Sequence, residues 1–262
     1  MNEIETVTLK PDIRKLLLIG NPGVGKTNFI KTMPKPIYVF SFDKGYLTLA
    51  GEDGIKVGVC MDEDRYSPKS YAEFNTKFQK LCQGEKYKWS DGREEAYQTI
   101  ALDNVSFLST AIFDHQQKVN SNIDKPGGFL VYGQVRSKLQ DILNKSVTIA
   151  NYVVCTALLE ADKDDSTGEI FFVPSVVGSI KHEMGAWFDA VFYLTIDKTP
   201  QGNKLYKLIT VGERRQQAKI RLPSRIANAV SAVETPDFGL LMKKINDAIG
   251  KGASDATQGV GK

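Results

Sequence analysis

Cysteine, histidine and tryptophan are scarce here: three, two and two in 262 residues. Cys60, Cys82 and Cys155 lie far apart, their number is odd, and no pair has CxxC spacing. A disulfide framework and a thiolate zinc site are therefore excluded as organising features. His115 and His182 have no ligand-like neighbours in sequence, so ordinary structural roles are expected of both. No apolar run is long enough to span a bilayer, and the first residues form no apolar signal region. No membrane partner is expected, and a reducing cytoplasm is the expected compartment. Neither sign of charge dominates: 34 Lys and Arg against 31 Asp and Glu leave +3. That balance does not by itself require a nucleic-acid partner, so any basic surface must come from local clustering. A hydrophobic share of 42% with 25% charged residues suits one sizeable globular domain.

What the chain does contain is a phosphate-binding signature. Gly20, Asn21, Pro22, Gly23, Val24, Gly25, Lys26 and Thr27 spell G-x-x-x-x-G-K-[ST]. The apolar run Leu16 to Ile19 precedes the motif, and a helix is predicted over Asn28 to Met33. This strand–loop–helix context separates a nucleotide loop from a chance Gly-rich turn. Glycines let backbone N–H groups turn inward on a phosphate chain, and the helix start adds its positive dipole end. Residues Gly20 through Asn28 form the expected nucleotide cradle. Lys26 is placed to reach the β- and γ-phosphates, and the Thr27 hydroxyl to ligate Mg²⁺. ATP and Mg²⁺ are the expected ligands.

Strand and helix patterns alternate, predicting an α/β domain around a parallel sheet. Strands are predicted at Lys15 to Ile19, Pro36 to Ser41, Ile55 to Val59, Thr99 to Leu102 and Tyr152 to Leu158. A short helix and turn fits Gly45 to Gly54. Helices fit Ser70 to Cys82, Ser106 to Val119 and Gly133 to Asn144. Gln83 to Glu95 reads as polar and irregular, and Asn120 to Gly128 and Ala161 to Gly168 as loops. Phe188 to Ile196, Leu205 to Val211 and Lys219 to Leu222 read as strands of an antiparallel extension. A last helix is expected from Asp237 to Ile249. Residues 1–249 then form one domain, and 250–262, rich in Gly, Ser and Ala, a disordered tail.

Two carboxylates complete the expected chemistry. Asp103 ends an apolar strand well downstream of the loop, where an acidic group can hold Mg²⁺ beside the phosphates. Asp43 follows the second strand and would lie next to the phosphate loop, a position suited to orienting the attacking water. Asp before Lys-Gly is also common in plain turns, and the residues alone leave both roles open. Asn104, directly after Asp103, has no assigned role at this stage.

The ordered set of motifs resembles the RecA-like ATPase fold. More closely, it is similar to short phage-encoded ATPases labelled AAA-domain ATP-binding proteins, including the Sak-four type of single-strand annealing recombinase. The resemblance runs from Leu16 to about Ile249. It rests on Lys15 to Thr27, Met33 to Pro36, the strand leading to Asp43, Thr99 to Asp103, Tyr152 to Leu158, Pro174 to Gly178, Trp187 to Val191, and Ala218 to Arg221.

The resemblance implies a RecA-like core with a mostly parallel sheet and an antiparallel C-terminal extension. It implies a water-positioning role for Asp43, where RecA has Glu, and a polar sensor at Thr156. Lys219 and Arg221 would match the Lys-x-Arg element that reaches a neighbouring subunit's γ-phosphate, which implies a homo-oligomer with ATP sites at its interfaces. Their bland alternative is a solvated strand face. Single-stranded DNA would lie against Asn120 to Tyr132, with Lys125, Phe129 and Tyr132 as contacts, and against Ala161 to Val177. A single-strand-binding protein would be a further partner. The function so implied is Mg²⁺-dependent ATP hydrolysis coupled to single-strand annealing or pairing in DNA recombination. A nucleotide-gated switch with slow turnover and a helicase-type motor are the other readings.

Overall fold

A computed structural model of the chain describes residues 12–62, 68–120, 128–213 and 215–258. The strands are β1 (Lys15–Ile19), β2 (Ile37–Ser41), β3 (Ile55–Val59), β4 (Tyr87–Lys88), β5 (Glu94–Glu95), β6 (Thr99–Asp103), β7 (Tyr152–Ala157), β8 (Leu159–Lys163), β9 (Ile170–Pro174), β10 (Ala190–Lys198), β11 (Lys204–Ile209), β12 (Lys219–Ile220) and β13 (Val233–Glu234). The helices are α1 (Lys26–Ile30), α2 (Ser70–Cys82), α3 (Val105–Val119), α4 (Gly128–Ile149), α5 (Ile180–Glu183), α6 (Ser224–Ala227) and α7 (Phe238–Gln258).

Nine strands make the main sheet, in the order β13-β11-β10-β1-β7-β6-β2-β3, with β12 added on β10. From β10 to β3 the neighbours run parallel, while β11, β12 and β13 are antiparallel additions. The α/β class expected from the sequence is the one found, and the arrangement is consistent with a RecA-like P-loop NTPase core. Both faces are covered, so the central strands read as unbroken apolar runs. Alternation along β1 sends Leu17 and Ile19 to a core shared with Phe74 and Phe78 of α2, Leu108 and Ile112 of α3, and Val135 and Leu139 of α4. Leu16 and Leu18 go to the opposite core, with Phe29 and Ile30 of α1, Ile226 of α6, and Leu241 and Ile245 of α7. Among the described residues no helix is long and apolar enough to cross a membrane.

Several elements differ from the sequence expectation. The strand expected from Phe188 is β10, and it belongs to the parallel core: Leu16 to Ile19 of β1 pair with Ala190 to Tyr193. Its second half pairs with β11, so one strand serves both parts of the sheet. The charged segment from Ala161 is largely a hairpin, β8 with β9, tipped by a turn in which Asp164 Oδ1 accepts the Ser166 and Thr167 amides. The irregular stretch after Gln83 carries the small β4–β5 hairpin. Helix α4 starts at Gly128 and ends at Ile149, longer at both ends than its apolar pattern indicated. Helix α7 continues through Gln258, past the expected break at Gly250; residues 259–262 lie outside the described residues.

Candidate functional site

Register puts the carboxyl ends of four parallel strands at one edge. Ile19 is level with Ala157, Thr156 with Asp103, and Asp103 with Ser41. Crevices outside such strand ends are where open α/β sheets take ligands. A cleft of about 480 Å³ opens there, lined among others by Gly23, Gly25, Lys26, Thr27, Asp43, Asp103 and Asn104. Of the expected nucleotide and metal residues, Pro22, Gly23, Gly25, Lys26, Thr27, Asn28 and Asp103 therefore meet in one place, whereas Gly20, Asn21 and Val24 do not line it.

The loop from Gly20 wraps the end of β1 as its glycines permit. Gly25 has φ of 95°, in the left-handed region, and a Cβ there would come within 3.2 Å of the Tyr206 ring on β11. Only glycine fits both demands. Helix α1 begins at Lys26 and has five residues, so it starts earlier and stops sooner than expected. Its dipole is correspondingly short, so the attraction for an anion would have to come mainly from Lys26 and the loop amides.

Lys26 is 8% exposed, and its ammonium donates to the Gly20 and Asn21 carbonyls at 2.8 and 2.9 Å. Burial lowers its pKa, opposed by the nearby Asp103 and Asp43 carboxylates. The cation is thus pre-positioned beside the cleft with few competing partners.

Asp103 and Thr27 are side by side, the Thr27 hydroxyl donating to Asp103 Oδ2 at 2.7 Å. Strand β7 lies between β1 and β6, and its Thr156 hydroxyl donates to Asp103 Oδ1. Burial raises the Asp103 pKa; the two threonine hydrogen bonds oppose the rise, the Asp43 charge adds to it, and Lys26 opposes it. One hydroxyl and one carboxylate are hard oxygen donors that suit Mg²⁺, an ion that keeps much of its shell for water and phosphate. No group of three or more His, Cys, Asp or Glu side chains suited to a metal occurs among the described residues. Thr27 and Asp103 therefore fit an ion held largely by substrate and water, and such an ion would neutralise phosphate charge.

Asp43 reaches the same cleft by an indirect route. Strand β2 is separated from β1 by β6 and β7, so the expected adjacency to the loop is not adjacency in the sheet. The chain instead turns after Ser41 into a 3-10 helix, Lys44–Leu49, that packs on α1. Asp43 caps it, its Oδ1 accepting the Gly45 amide at 2.6 Å. Asp43 thus forms the turn and also lines the cleft.

Other expected residues fall elsewhere. Thr156 is fully buried and spends its hydroxyl on Asp103, so it supports that carboxylate and does not line the cleft as a sensor would. Arg221 follows β12, and its backbone N–H pairs with the Asp189 carbonyl, level with the start of β1. Its guanidinium donates to the Ala186 carbonyl at 2.6 Å and lies 3.6 Å from Asp189. Arg221 therefore sits at the sheet end opposite its own phosphate loop. Lys219, opposite Val191, has a lowered pKa from burial first and the Arg221 charge second, with Asp189 opposing. Lys125 lies outside the described residues. Phe129 and Tyr132, expected in a loop, stand in the first turns of α4. Phe129 is 95% exposed, whereas the Tyr132 ring packs 5.3 Å from that of Phe113.

Sequence reasoning missed Thr48, Phe107 and Leu158, which also line the cleft, and Tyr206 behind Gly25. Only chain folding brings them there, and none carries a local motif.

Asp103 permits a first prediction. A buried carboxylate beside a second carboxylate is costly to the empty protein. Asp103→Asn keeps both threonine contacts possible while removing that charge. Its nucleotide-free melting temperature should equal or exceed the parent's, while Mg²⁺-dependent ATP binding weakens about tenfold or more. Calorimetry and ATP titration with and without Mg²⁺ check this; unchanged Mg²⁺ dependence would remove Asp103 from the metal site.

A family model described as an AAA domain matches residues 13–222. No curated protein matches the chain. One similar solved structure is described as a prototypical ATPase from the type III secretion system of pathogenic bacteria. It is 18% identical over 70% of this chain, with a TM-score of 0.44. The matched part spans 52% of that protein's chain, about half its length.

Proposed function

The chain belongs to the AAA-domain family, and from that premise we propose that it is a Mg²⁺-dependent ATPase of DNA recombination that acts on single strands. The observation that carries the ATPase reading is the pairing of Thr27 with Asp103 at 2.7 Å beside the buried Lys26, all in one cleft. In this reading Lys26 and the loop amides hold the triphosphate. Thr27 and Asp103 hold the ion. Asp43 orients the attacking water from the same cleft, its two oxygens fixed by Gly45 and Asn104. Phosphoryl transfer needs little more from a protein than this positioning and charge stabilisation. Arg221 serves the next subunit of a homo-oligomer, since it lies far from its own loop.

The nucleic-acid half of the proposal draws support from Phe129. A 95% exposed phenylalanine at the start of a helix is available for stacking on an unpaired base. It follows Lys125 closely in sequence, which would meet the phosphate backbone. Annealing or pairing of single strands, with a single-strand-binding protein as a further partner, is the use implied by the phage-ATPase resemblance. A nucleotide-gated switch with slow turnover is the rival. The two separate on ATP turnover with and without single-stranded DNA.

Single-strand binding should fall steeply between low and physiological salt, because phosphate contacts release counterions. Phe129→Ala should weaken it by about 1–3 kcal/mol while leaving melting temperature unchanged, since an exposed ring contributes little to folding. Fluorescence titration of a labelled oligonucleotide checks both. No binding at low salt with ATP and Mg²⁺ present would reject the single-strand reading and favour the switch.

A further inference from the structure

Asn104 is 1% exposed, directly follows Asp103, and lines the cleft. It is the N-cap of α3: its Oδ1 accepts the Phe107 amide at 2.9 Å. Its Nδ2 donates to Asp43 Oδ2, also at 2.9 Å. These two contacts fix the orientation of the amide. Reversed, it would face N–H against N–H on one side and oxygen against carboxylate on the other. Asp43 is then gripped from both sides, Gly45 N–H on Oδ1 and Asn104 on Oδ2. Take Asn104 away and the carboxylate keeps a single anchor at its own turn, about which it can rotate.

Resting on the reading of Asp43 as the water-orienting group, we infer that Asn104 is a positioning residue for hydrolysis: its amide holds the Asp43 carboxylate in the attitude the attacking water requires. The residue type follows from the geometry. Serine or aspartate could cap α3 equally well. Serine is too short to reach Asp43 as well, and aspartate would present oxygen to oxygen. Only an amide can accept from Phe107 and donate to Asp43 at once.

That difference supplies clean variants. Asn104→Ser keeps a neutral helix cap and loses the contact to Asp43. Its kcat should fall between about tenfold and a hundredfold, the scale of a misplaced catalytic group. ATP affinity and KM should stay within about twofold of the parent, and helix content by circular dichroism should be unchanged. A second measurement reads the contact without nucleotide. Asn104→Asp sets two carboxylates face to face and should lower the melting temperature by roughly 2–4 °C. Adding Asp43→Asn to it restores an amide–carboxylate pair with roles exchanged, and should recover the loss. Asp43→Asn alone should not raise the parent by as much.

The outcomes separate the inference from the reading beneath it. Parental turnover in Asn104→Ser, with Asp43→Asn slow, overturns the role of Asn104 and leaves that of Asp43. Parental turnover in both removes Asp43 from the mechanism, and Asn104 with it. A fall in kcat accompanied by lost ATP affinity or lost helix marks a structural residue only, and equally overturns the inference. Failure of the exchanged pair to recover stability denies the contact itself.

Discussion

Lys26→Ala should leave a folded protein with essentially no ATP turnover. Among the described residues the Lys26 ammonium bonds to the Gly20 carbonyl, a buried contact, and to the Asn21 carbonyl, a part-buried one. Water can take over the exposed Asn21 carbonyl but not the buried Gly20 carbonyl, so the stability change should stay within about 1–3 kcal/mol, which leaves the fold standing. Its sign is a balance: burial penalises the ammonium, while its loss leaves Asp103 and Asp43 without their shared counter-charge. For the bound triphosphate nothing replaces the cation. Lys26 is the only basic residue among those lining the described cleft, and a positioned charge-stabilising donor commonly accounts for about a hundredfold to a thousandfold in rate. Loss of a full cation at the β- and γ-phosphates should cost about a thousandfold or more in turnover and weaken triphosphate binding. Phosphate release, nucleotide titration and circular dichroism check the three parts. Unchanged turnover would overturn the site assignment.

Arg221→Ala should bind ATP normally and hydrolyse it about a thousandfold more slowly, the effect of an arginine supplied to a transferring phosphoryl group. The geometry excludes a role in its own site. Arg221 pairs with Asp189 beside Lys15, at the opposite end of β1 from Gly20, and a five-residue strand separates the ends by about 13 Å. In the homo-oligomer proposed above, any catalytic contact of Arg221 would therefore be made to a neighbouring protomer's site. The guanidinium is half-exposed and held by one carbonyl and one carboxylate at 3.6 Å, an exposed pair that costs little to break. Mixing Arg221→Ala with Lys26→Ala should restore part of the activity, because some interfaces then join an intact loop to an intact arginine. A mixture no more active than either variant, in a preparation where mass measurement shows co-assembly, would deny the role in trans. A fully active Arg221→Ala protein would leave the arginine as a solvated residue at the sheet's edge.

The sequence by itself determined the phosphate loop and its immediate partners. Gly20 to Thr27 have a fixed spacing because backbone amides must converge on one phosphate chain, and the apolar runs before them and before Asp103 could only be buried strands. Local chemistry of that kind needs no knowledge of the rest of the chain. Strand order is a different matter. That β7 inserts between β1 and β6, so that Thr156 bonds to Asp103 and never faces the cleft, depends on which strands pair; an apolar run carries no label for its neighbour. Strand β10 looked antiparallel because its second half is, while its first half completes the parallel core. Phe129 and Tyr132 looked like loop residues because the glycines before them hide the start of α4. Asn104 shows the limit most directly. In sequence it is a polar residue after a strand. Only the fold carries Asp43, sixty-one positions away in the chain, into reach of its amide, because pairing of β2 with β6 brings two strand ends together that the chain itself keeps apart.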